Sequence, residues 1–104
     1  MLHGITVTAP GFYGPQGRKL ILPLADEHIP EKLRSFRSGD HRILNFEMET
    51  SALYGLGNLL GHDCCTCCAI LANRFREEYV EDHDAVIDDL IGKVLDRLIP
   101  DQAP

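Results

Sequence analysis

The sequence predicts an α/β fold with a mixed or parallel sheet and flanking helices, and two observations predict it. Short runs rich in β-branched or small apolar residues alternate with segments of helical periodicity along the chain. The clearest of these segments precedes Pro100, where apolar side chains recur at helical spacing from an acidic start at residues 82–84. These apolar residues are Val86, Ile87, Leu90, Ile91, Val94, Leu95 and Leu98.

The first third of the chain predicts strands around a glycine-rich loop. Residues 3–9 are rich in β-branched residues and form a strand that ends at Pro10-Gly11. The loop GFYGPQG follows, and residues 19–24 form a second strand. Pro30 then suits the first turn of a helix that carries Leu33 and Phe36 inward, because a first-turn residue needs no N–H donor.

The middle of the chain predicts a strand over residues 43–48 and a helix over residues 52–60. A hydroxyl of Thr50 or Ser51 would cap this helix, and Gly61 suits its end. Gly55 and Gly57 lie inside the helix at a cost of about 1 kcal/mol each relative to alanine. We therefore expect this helix to pack closely against a sheet or another subunit.

Residues 65–72 are nearly continuous in small apolar side chains, which is typical of a strand buried on both faces of a parallel sheet. All four cysteines lie at or beside its start, at positions 64, 65, 67 and 68. Alternate residues of a strand point to opposite faces, so four thiolates cannot converge on one ion. We expect buried cysteines that pack as small hydrophobes, with a metal or redox role shared with His62 as the alternative.

Composition excludes several partner classes. The chain of 104 residues has a net charge of −6, and its longest basic run is Arg18-Lys19. Binding nucleic acid or an acidic membrane by bulk charge requires a basic stripe, so neither is expected. The sequence contains no apolar run of about 18 residues and no secretory leader pattern, which predicts a cytoplasmic protein.

The loop at residues 11–18 is the first candidate site. Its glycines allow close backbone approach to a ligand. The Gln16 amide offers a donor and an acceptor to the imide edge of a uracil ring, Arg18 can donate to a carbonyl, and Phe12 can pack on the ring face. An ordinary surface turn explains the same residues, since glycine and proline are common in turns.

Two carboxylates form the second candidate site, one within the apolar strand at residues 43–48 and one directly after it. Glu47 and Glu49 flank Met48, and a buried carboxylate must be paired or hydrogen-bonded. Glu49 could accept hydrogen bonds from vicinal ribose hydroxyls, while Met48 supplies an adaptable apolar contact. The alternative is a carboxylate that favours the N-terminus of the next helix.

Asn73 and Arg74 form the third candidate site, because they follow the apolar run at residues 65–72. Ligands of open α/β sheets bind beyond the carboxyl ends of the strands. Parallel strands would bring Arg74, Glu49 and the loop after Ala9 to one edge. An exposed arginine without a binding role is the alternative.

Taken together, the segments GFYGPQGR, NFEMETSALYGLG and AILANR resemble the nucleoside phosphorylase family, in its uridine phosphorylase branch. The resemblance covers nearly all of the chain but only the C-terminal portion of family members. It implies that residues 1–104 are a single partial domain of that fold, and that Asn73-Arg74 departs from the Ser-Asp pair of purine-specific relatives.

The resemblance also implies residue roles. Gln16 and Arg18 would bind the uracil edge, Phe12 would stack near the nucleoside, and Arg74 matches an arginine near the base. The EMET segment, which contains Glu47, would hold the ribose through Met48 and Glu49. Arg18 and Glu49 would take part in catalysis, by stabilising charge on the departing base and by orienting the sugar.

The implied reaction is phosphorolysis of a uridine-type nucleoside to uracil and ribose 1-phosphate, without a metal or other cofactor. Family members bind inorganic phosphate through N-terminal segments that have no counterpart here, and a neighbouring subunit completes the site, so a homo-oligomer is expected. Two alternatives within the superfamily are a nucleosidase, which uses water, and a purine nucleoside phosphorylase. A third is a non-catalytic remnant that binds nucleoside or only oligomerises.

Overall fold

The computed structural model describes residues 1–99, which form two compact units. The first is Met1–Cys65, and the second begins at Thr66. The predicted helix stop at Pro100 lies outside the described residues. An α/β fold with a mixed sheet and three α-helices confirms the predicted fold class.

The sheet of the first unit is built on two parallel strands. Strand β1 (Ile5–Thr8) pairs in parallel with β3 (His41–Glu47), and the short strand β2 (Arg37–Ser38) pairs antiparallel with the other edge of β3. Thr6 on β1 donates a hydrogen bond from its hydroxyl to the Asn45 side chain on β3, at 2.9 Å. Both predicted strands at these positions are confirmed, to within two residues at their ends.

Two helices complete the first unit. Helix α1 (Ile29–Ser35) has a proline in its first turn, as predicted. Helix α2 (Thr50–Leu60) ends at Gly61, whose φ of 73° is the left-handed conformation that glycine adopts without strain. The Gly61 and His62 N–H groups donate to carbonyls of the last helical turn.

The second unit contains a β-hairpin and the longest helix. Strands β4 (Ala72–Asn73) and β5 (Glu78–Tyr79) pair antiparallel across a four-residue turn. Helix α3 (His83–Leu98) begins after Asp82, whose carboxylate accepts a hydrogen bond from the Ala85 N–H at 3.0 Å. The predicted acidic, capped start of this helix is confirmed.

Two predicted strands are wrong. Residues 19–24 and residues 65–71 have no regular secondary structure. A strand needs a neighbouring backbone to pair with, and apolar composition does not supply one. The thiols are therefore not core residues: Cys65 and Cys67 are exposed, whereas Cys64 and Cys68 are half-buried.

Burial is sparse throughout the described residues. Ala9 is their one buried hydrophobic residue, whereas Gln16 and Thr50 are buried polar residues. Many large apolar side chains remain exposed, including those of α2. None of the described helices combines the length and apolar character that a membrane span requires.

The two glycines of α2 differ in their surroundings. A Cβ on Gly57 would overlap the Cys64 sulfur and approach the His62 carbonyl oxygen to 3.3 Å, whereas a Cβ on Gly55 would meet nothing within 4 Å. Gly57 is therefore close to the turn that follows the helix, whereas packing against a sheet or another subunit was predicted, and Gly55 makes no close contact.

Gly57→Ala is accordingly expected to lower the free energy of unfolding by about 1–3 kcal/mol through overpacking. The matched variant Gly55→Ala should instead raise it by about 1 kcal/mol, because alanine is the better helix former. Urea unfolding of both variants measures the difference. Equal effects of the two substitutions would contradict the close contact at Gly57.

Candidate functional site

The parallel pair of strands brings two predicted binding segments to one edge of the sheet. Thr8 and Glu47, the last residues of β1 and β3, lie opposite each other in the register. The Ala9 N–H donates to the Glu47 carbonyl at 2.9 Å and extends the pairing by one residue. The loop at residues 11–18 and the segment Met48–Glu49 therefore leave the sheet at the same level, as predicted for parallel strands.

The loop at residues 11–18 has a defined backbone. Gly14–Gln16 form a 3₁₀ turn, and Gly17 closes it with a φ of 70°, which favours glycine. The Arg18 N–H donates to the Tyr13 carbonyl at 2.8 Å, so the loop folds back on itself. This geometry holds the side chains of residues 12, 16 and 18 within one short structure.

The side chains of this loop form a cluster around Arg18. Its guanidinium carbon lies 3.7 Å from the centroid of the Phe12 ring, and its Nη1 donates to the Phe12 carbonyl oxygen at 2.6 Å. The same nitrogen donates to Oε1 of Gln16. We define Phe12, Gln16 and Arg18 as the Arg18 cluster. It unites the three loop residues that the sequence singled out.

Members of the Arg18 cluster differ in exposure. Gln16 is 6% exposed, whereas Phe12 is 51% exposed and meets Tyr13 edge-on with ring centroids 5.2 Å apart. A guanidinium stacked on an aromatic ring has its orientation restricted, since the ring face attracts the cation. The cluster therefore presents a partly exposed aromatic surface beside an oriented guanidinium and a buried amide, groups that suit a flat polar ring.

Glu47 connects three elements at the end of the sheet. Its Oε1 accepts a hydrogen bond from the Thr8 hydroxyl on β1. Its Oε2 accepts from the N–H groups of Glu49 at 2.7 Å and Thr50 at 2.6 Å, at the start of α2. Thr8 Oγ1 in turn accepts from the Ser51 N–H at 2.9 Å. We name Thr8 and Glu47, with these backbone groups, the Glu47 latch.

The Glu47 latch replaces the predicted cap of α2. No side-chain hydroxyl of Thr50 or Ser51 caps the helix, so that prediction is wrong. Glu47 and Thr8 instead satisfy N–H groups that a helix N-terminus leaves without intrahelical partners. Thr8 could not be singled out from the sequence, because threonine is common in strands and only the register places it opposite Glu47.

The latch keeps the Glu47 carboxylate ionised. Partial burial raises its pKa, but the Thr8 hydroxyl and the N–H groups of Glu49 and Thr50 outweigh burial and lower the pKa to about 2. The Thr50 hydroxyl also favours the anion, although it is buried without a well-aligned hydrogen bond among the described residues. Glu47 is thus a stable anion at the start of α2, where the helix dipole favours negative charge.

The lowered pKa of Glu47 predicts acid sensitivity. Its folded-state pKa lies below the ordinary value of 4.5, so its contribution to stability is complete above pH 4.5 and is lost as pH falls towards 2. Urea unfolding from pH 7 to 2 should therefore show a steeper loss for the unaltered chain than for Glu47→Gln.

Asp26 provides the internal control for this comparison. Its pKa is also lowered, chiefly by the hydrogen bond from the Lys32 ammonium, and it is present in both proteins. The difference between the two pH profiles therefore isolates Glu47. Parallel profiles would contradict the assignment.

Met48 and Glu49 lie exposed beside the latch. Met48 is 40% exposed, and the Glu49 side chain accepts a hydrogen bond from the Met48 N–H at 3.1 Å. Glu49 occupies the N-cap position of α2 but does not cap it with its side chain. Glu47, and not Glu49, therefore accepts hydrogen bonds at the N-terminus of α2. The Glu49 carboxylate is exposed at the sheet edge.

Arg74 has a different setting from the one predicted. The parallel strand expected before it is not formed, and Arg74 lies in the β4–β5 turn of the second unit. Asn73 Oδ1 accepts from the Phe75 and Arg76 N–H groups at 3.2 and 3.3 Å, so the Asn73 side chain shapes that turn.

Within residues 1–99, no group of three or more histidine, cysteine or acidic side chains is arranged to hold a metal ion. What the edge offers is an amide, a guanidinium, an aromatic face and a carboxylate.

The chain is similar to the uridine phosphorylase of Thermococcus kodakarensis (strain ATCC BAA-918 / JCM 12380 / KOD1). The two are 36% identical over 78 residues, which are 73% of this chain and 27% of that protein. This chain therefore matches about a quarter of the length of that relative, which supports a partial relationship. No family model and no solved structure matches the chain.

Proposed function

We propose that this chain provides the base- and ribose-binding part of a uridine-phosphorylase-type active site. The observation that carries the proposal is that the Arg18 cluster and the segment Met48–Glu49 leave the same end of two paired parallel strands. The similarity to a protein named uridine phosphorylase supports the same chemistry.

The base would bind at the Arg18 cluster. A uracil ring is flat and has two carbonyl acceptors on either side of an N–H donor. Arg18 would donate to one carbonyl, and the Gln16 side-chain N–H would donate to the other, because the Gln16 Oε1 already accepts from Arg18. The exposed part of Phe12 would cover the ring. Hydrogen bonds that strengthen as negative charge builds on the departing base would favour the transition state.

The ribose would bind at Glu49. Its carboxylate is exposed beside Met48 and can accept hydrogen bonds from both vicinal hydroxyls of the sugar. Glu47 contributes by fixing the backbone of Glu49 and Thr50 through the latch, because both of its oxygens are already hydrogen-bonded to protein groups. A role for Arg74 near the base rests on the family resemblance alone.

The proposed reaction is phosphorolysis. A phosphate oxygen attacks the anomeric carbon, the glycosidic C–N bond breaks, and its electron pair leaves with the uracil. Arg18 and Gln16 would stabilise the anionic base, while Glu49 would orient the sugar. Segments outside residues 1–104 would provide the phosphate-binding groups, and a neighbouring subunit of a homo-oligomer would complete the site.

Nucleoside binding by the chain alone tests the proposal first. Calorimetry should give a binding heat with uridine and a weaker one with inosine, because the imide-pairing groups suit a pyrimidine. Gln16→Ala and Glu49→Ala should each reduce the uridine affinity. The absence of heat for uridine with a folded chain would refute nucleoside recognition.

Phosphate dependence then distinguishes the reaction type. The chain should be assayed for uracil release from uridine, with and without phosphate. The assay includes the part of the Thermococcus kodakarensis protein that lies outside the matched residues. The proposal predicts release only with phosphate. Release at full rate without phosphate would indicate a nucleosidase instead.

A further inference from the structure

Positive charge is concentrated at the β2–β3 hairpin and the end of the helix before it. Residues 32–42 contain four basic residues and one acidic residue, whereas the whole chain has a net charge of −6. This segment is therefore a local cationic region in an acidic protein. It is too small to bind nucleic acid by displacing counterions from many phosphates, but its size suits a single small anion.

The register of the hairpin places two arginines directly opposite each other. Strands β2 and β3 are joined by a two-residue turn, and Arg37 is the register partner of Arg42. Partners in an antiparallel pair project from the same face of the sheet, with Cβ atoms about 4.5–5.5 Å apart. Like charges in such positions destabilise a sheet, so an anion bound between them would remove a repulsion from the folded chain.

The two guanidiniums are not neutralised within the part of the chain that the structure describes. Both arginines are exposed, and neither forms an ion pair with a carboxylate among residues 1–99. By contrast, Lys19, Lys32 and Lys93 each pair with a carboxylate. The two charges that face each other across the hairpin are thus available to a ligand.

The guanidinium of Arg37 is held in place by the end of α1. Its Nη1 donates to the carbonyl oxygens of Arg34 at 2.9 Å and Phe36 at 2.7 Å. An arginine has five N–H donors in a planar fork, so the Nη2 and Nε donors of Arg37 remain to bind an oxyanion. A guanidinium that is oriented before binding loses less conformational entropy when the ligand arrives.

We propose that Arg37 and Arg42 form a binding site for a phosphate group, carried by inorganic phosphate or by a small phosphate monoester. We name these two residues the arginine pair. The charge of a phosphate dianion matches the two positive charges, and its oxygens can accept hydrogen bonds from both guanidiniums at once. A single carboxylate would neutralise only one of them.

The arginine pair is separate from the proposed nucleoside site. Arg42 lies near the start of β3 and Glu47 at its end, so the two are roughly 16 Å apart along an extended strand. A phosphate that attacks the anomeric carbon of a sugar held at Glu49 cannot lie at this distance. The arginine pair therefore binds a second anion, and its existence does not depend on the proposed function.

A nuclear magnetic resonance titration of the full ¹⁵N-labelled chain tests the site. Inorganic phosphate and glycerol 3-phosphate are added separately at constant ionic strength, and the probe that binds more tightly distinguishes the two sources of the phosphate group. We expect chemical-shift changes in the backbone N–H groups of residues 37–42 and in the Nε–H signals of the arginine pair. Arg42→Gln should weaken binding of the tighter probe by about 10-fold. Arg97→Gln, which removes the same charge from an exposed position on α3, should leave the affinity unchanged.

Urea unfolding separates a binding role of Arg42 from a structural one. Without phosphate, Arg42→Gln should be at least as stable as the unaltered chain, because the substitution removes a like-charge repulsion. Added phosphate should raise the urea midpoint of the unaltered chain and of Arg97→Gln more than that of Arg42→Gln, since a ligand stabilises only the protein that binds it.

The proposal is overturned if neither probe shifts the signals of residues 37–42 in a folded chain. Equal phosphate affinity of Arg42→Gln and the unaltered chain would also overturn it. Shift changes confined to the loop at residues 11–18 would do the same, because Arg18 would then be the anion ligand. Uridine binding at that loop is measured separately, so either site can fail without the other.

Discussion

Replacing Arg18 with alanine is expected to weaken uridine binding by about 10–150-fold. A hydrogen bond to a charged group contributes about 1.5–3 kcal/mol, which corresponds to that range of affinity. The substitution also removes the guanidinium from the Phe12 ring and from Gln16 Oε1, so the base-binding groups lose their mutual orientation. Calorimetric titration with uridine measures the effect.

Two further variants make the Arg18 result specific. Arg18→Lys keeps the charge but not the planar fork, and should bind uridine with intermediate affinity. Lys93→Ala removes a positive charge from helix α3, where Lys93 pairs with Asp89 on the exposed surface, and should bind like the unaltered chain. Unchanged uridine affinity in Arg18→Ala would exclude the loop at residues 11–18 as the base site.

Replacing Glu47 with glutamine is expected to lower the free energy of unfolding by about 1–3 kcal/mol. The carboxylate accepts hydrogen bonds from the Thr8 hydroxyl and from the Glu49 and Thr50 N–H groups. An amide has one acceptor oxygen in place of two, so at least one of these donors loses its partner. Urea unfolding at pH 7 measures the loss.

Glu49→Gln is the matched control for the Glu47 latch. The Glu49 carboxylate is exposed and accepts a hydrogen bond from the neighbouring Met48 N–H, so the substitution should leave stability nearly unchanged. It should nevertheless weaken uridine binding, because one acceptor for the ribose hydroxyls is lost. Equal destabilisation by both substitutions would contradict the division between a structural Glu47 and a ligand-binding Glu49.

The fold was predictable where local sequence and tertiary structure agree. β-Branched residues predicted β1, and an apolar run predicted β3. Gly61 predicted the end of α2, and Asp82 predicted the start of α3. The strand predicted at residues 65–72 was wrong over residues 65–71. Apolar side chains predict burial, whereas a strand also requires a paired backbone. Of that segment, Leu71 extends the β4–β5 pairing, since its carbonyl accepts a hydrogen bond from the Val80 N–H at 2.9 Å.

The candidate site was predictable in its members but not in its connections. The loop composition singled out Phe12, Gln16 and Arg18, and the structure brings these three together. The latch could not be predicted, because the contact between Thr8 and Glu47 spans 39 positions and depends on the register of β1 against β3. For the same reason the sequence assigned the cap of α2 to local hydroxyls.

A nuclear magnetic resonance titration of the ¹⁵N-labelled chain with uridine tests the central claim most directly. The account predicts chemical-shift changes in the loop at residues 11–18 and, at the same uridine concentration, in Met48 and Glu49, because both segments leave one sheet edge. Changes confined to one of these segments, changes elsewhere, or no changes in a folded chain would contradict a shared base and ribose site.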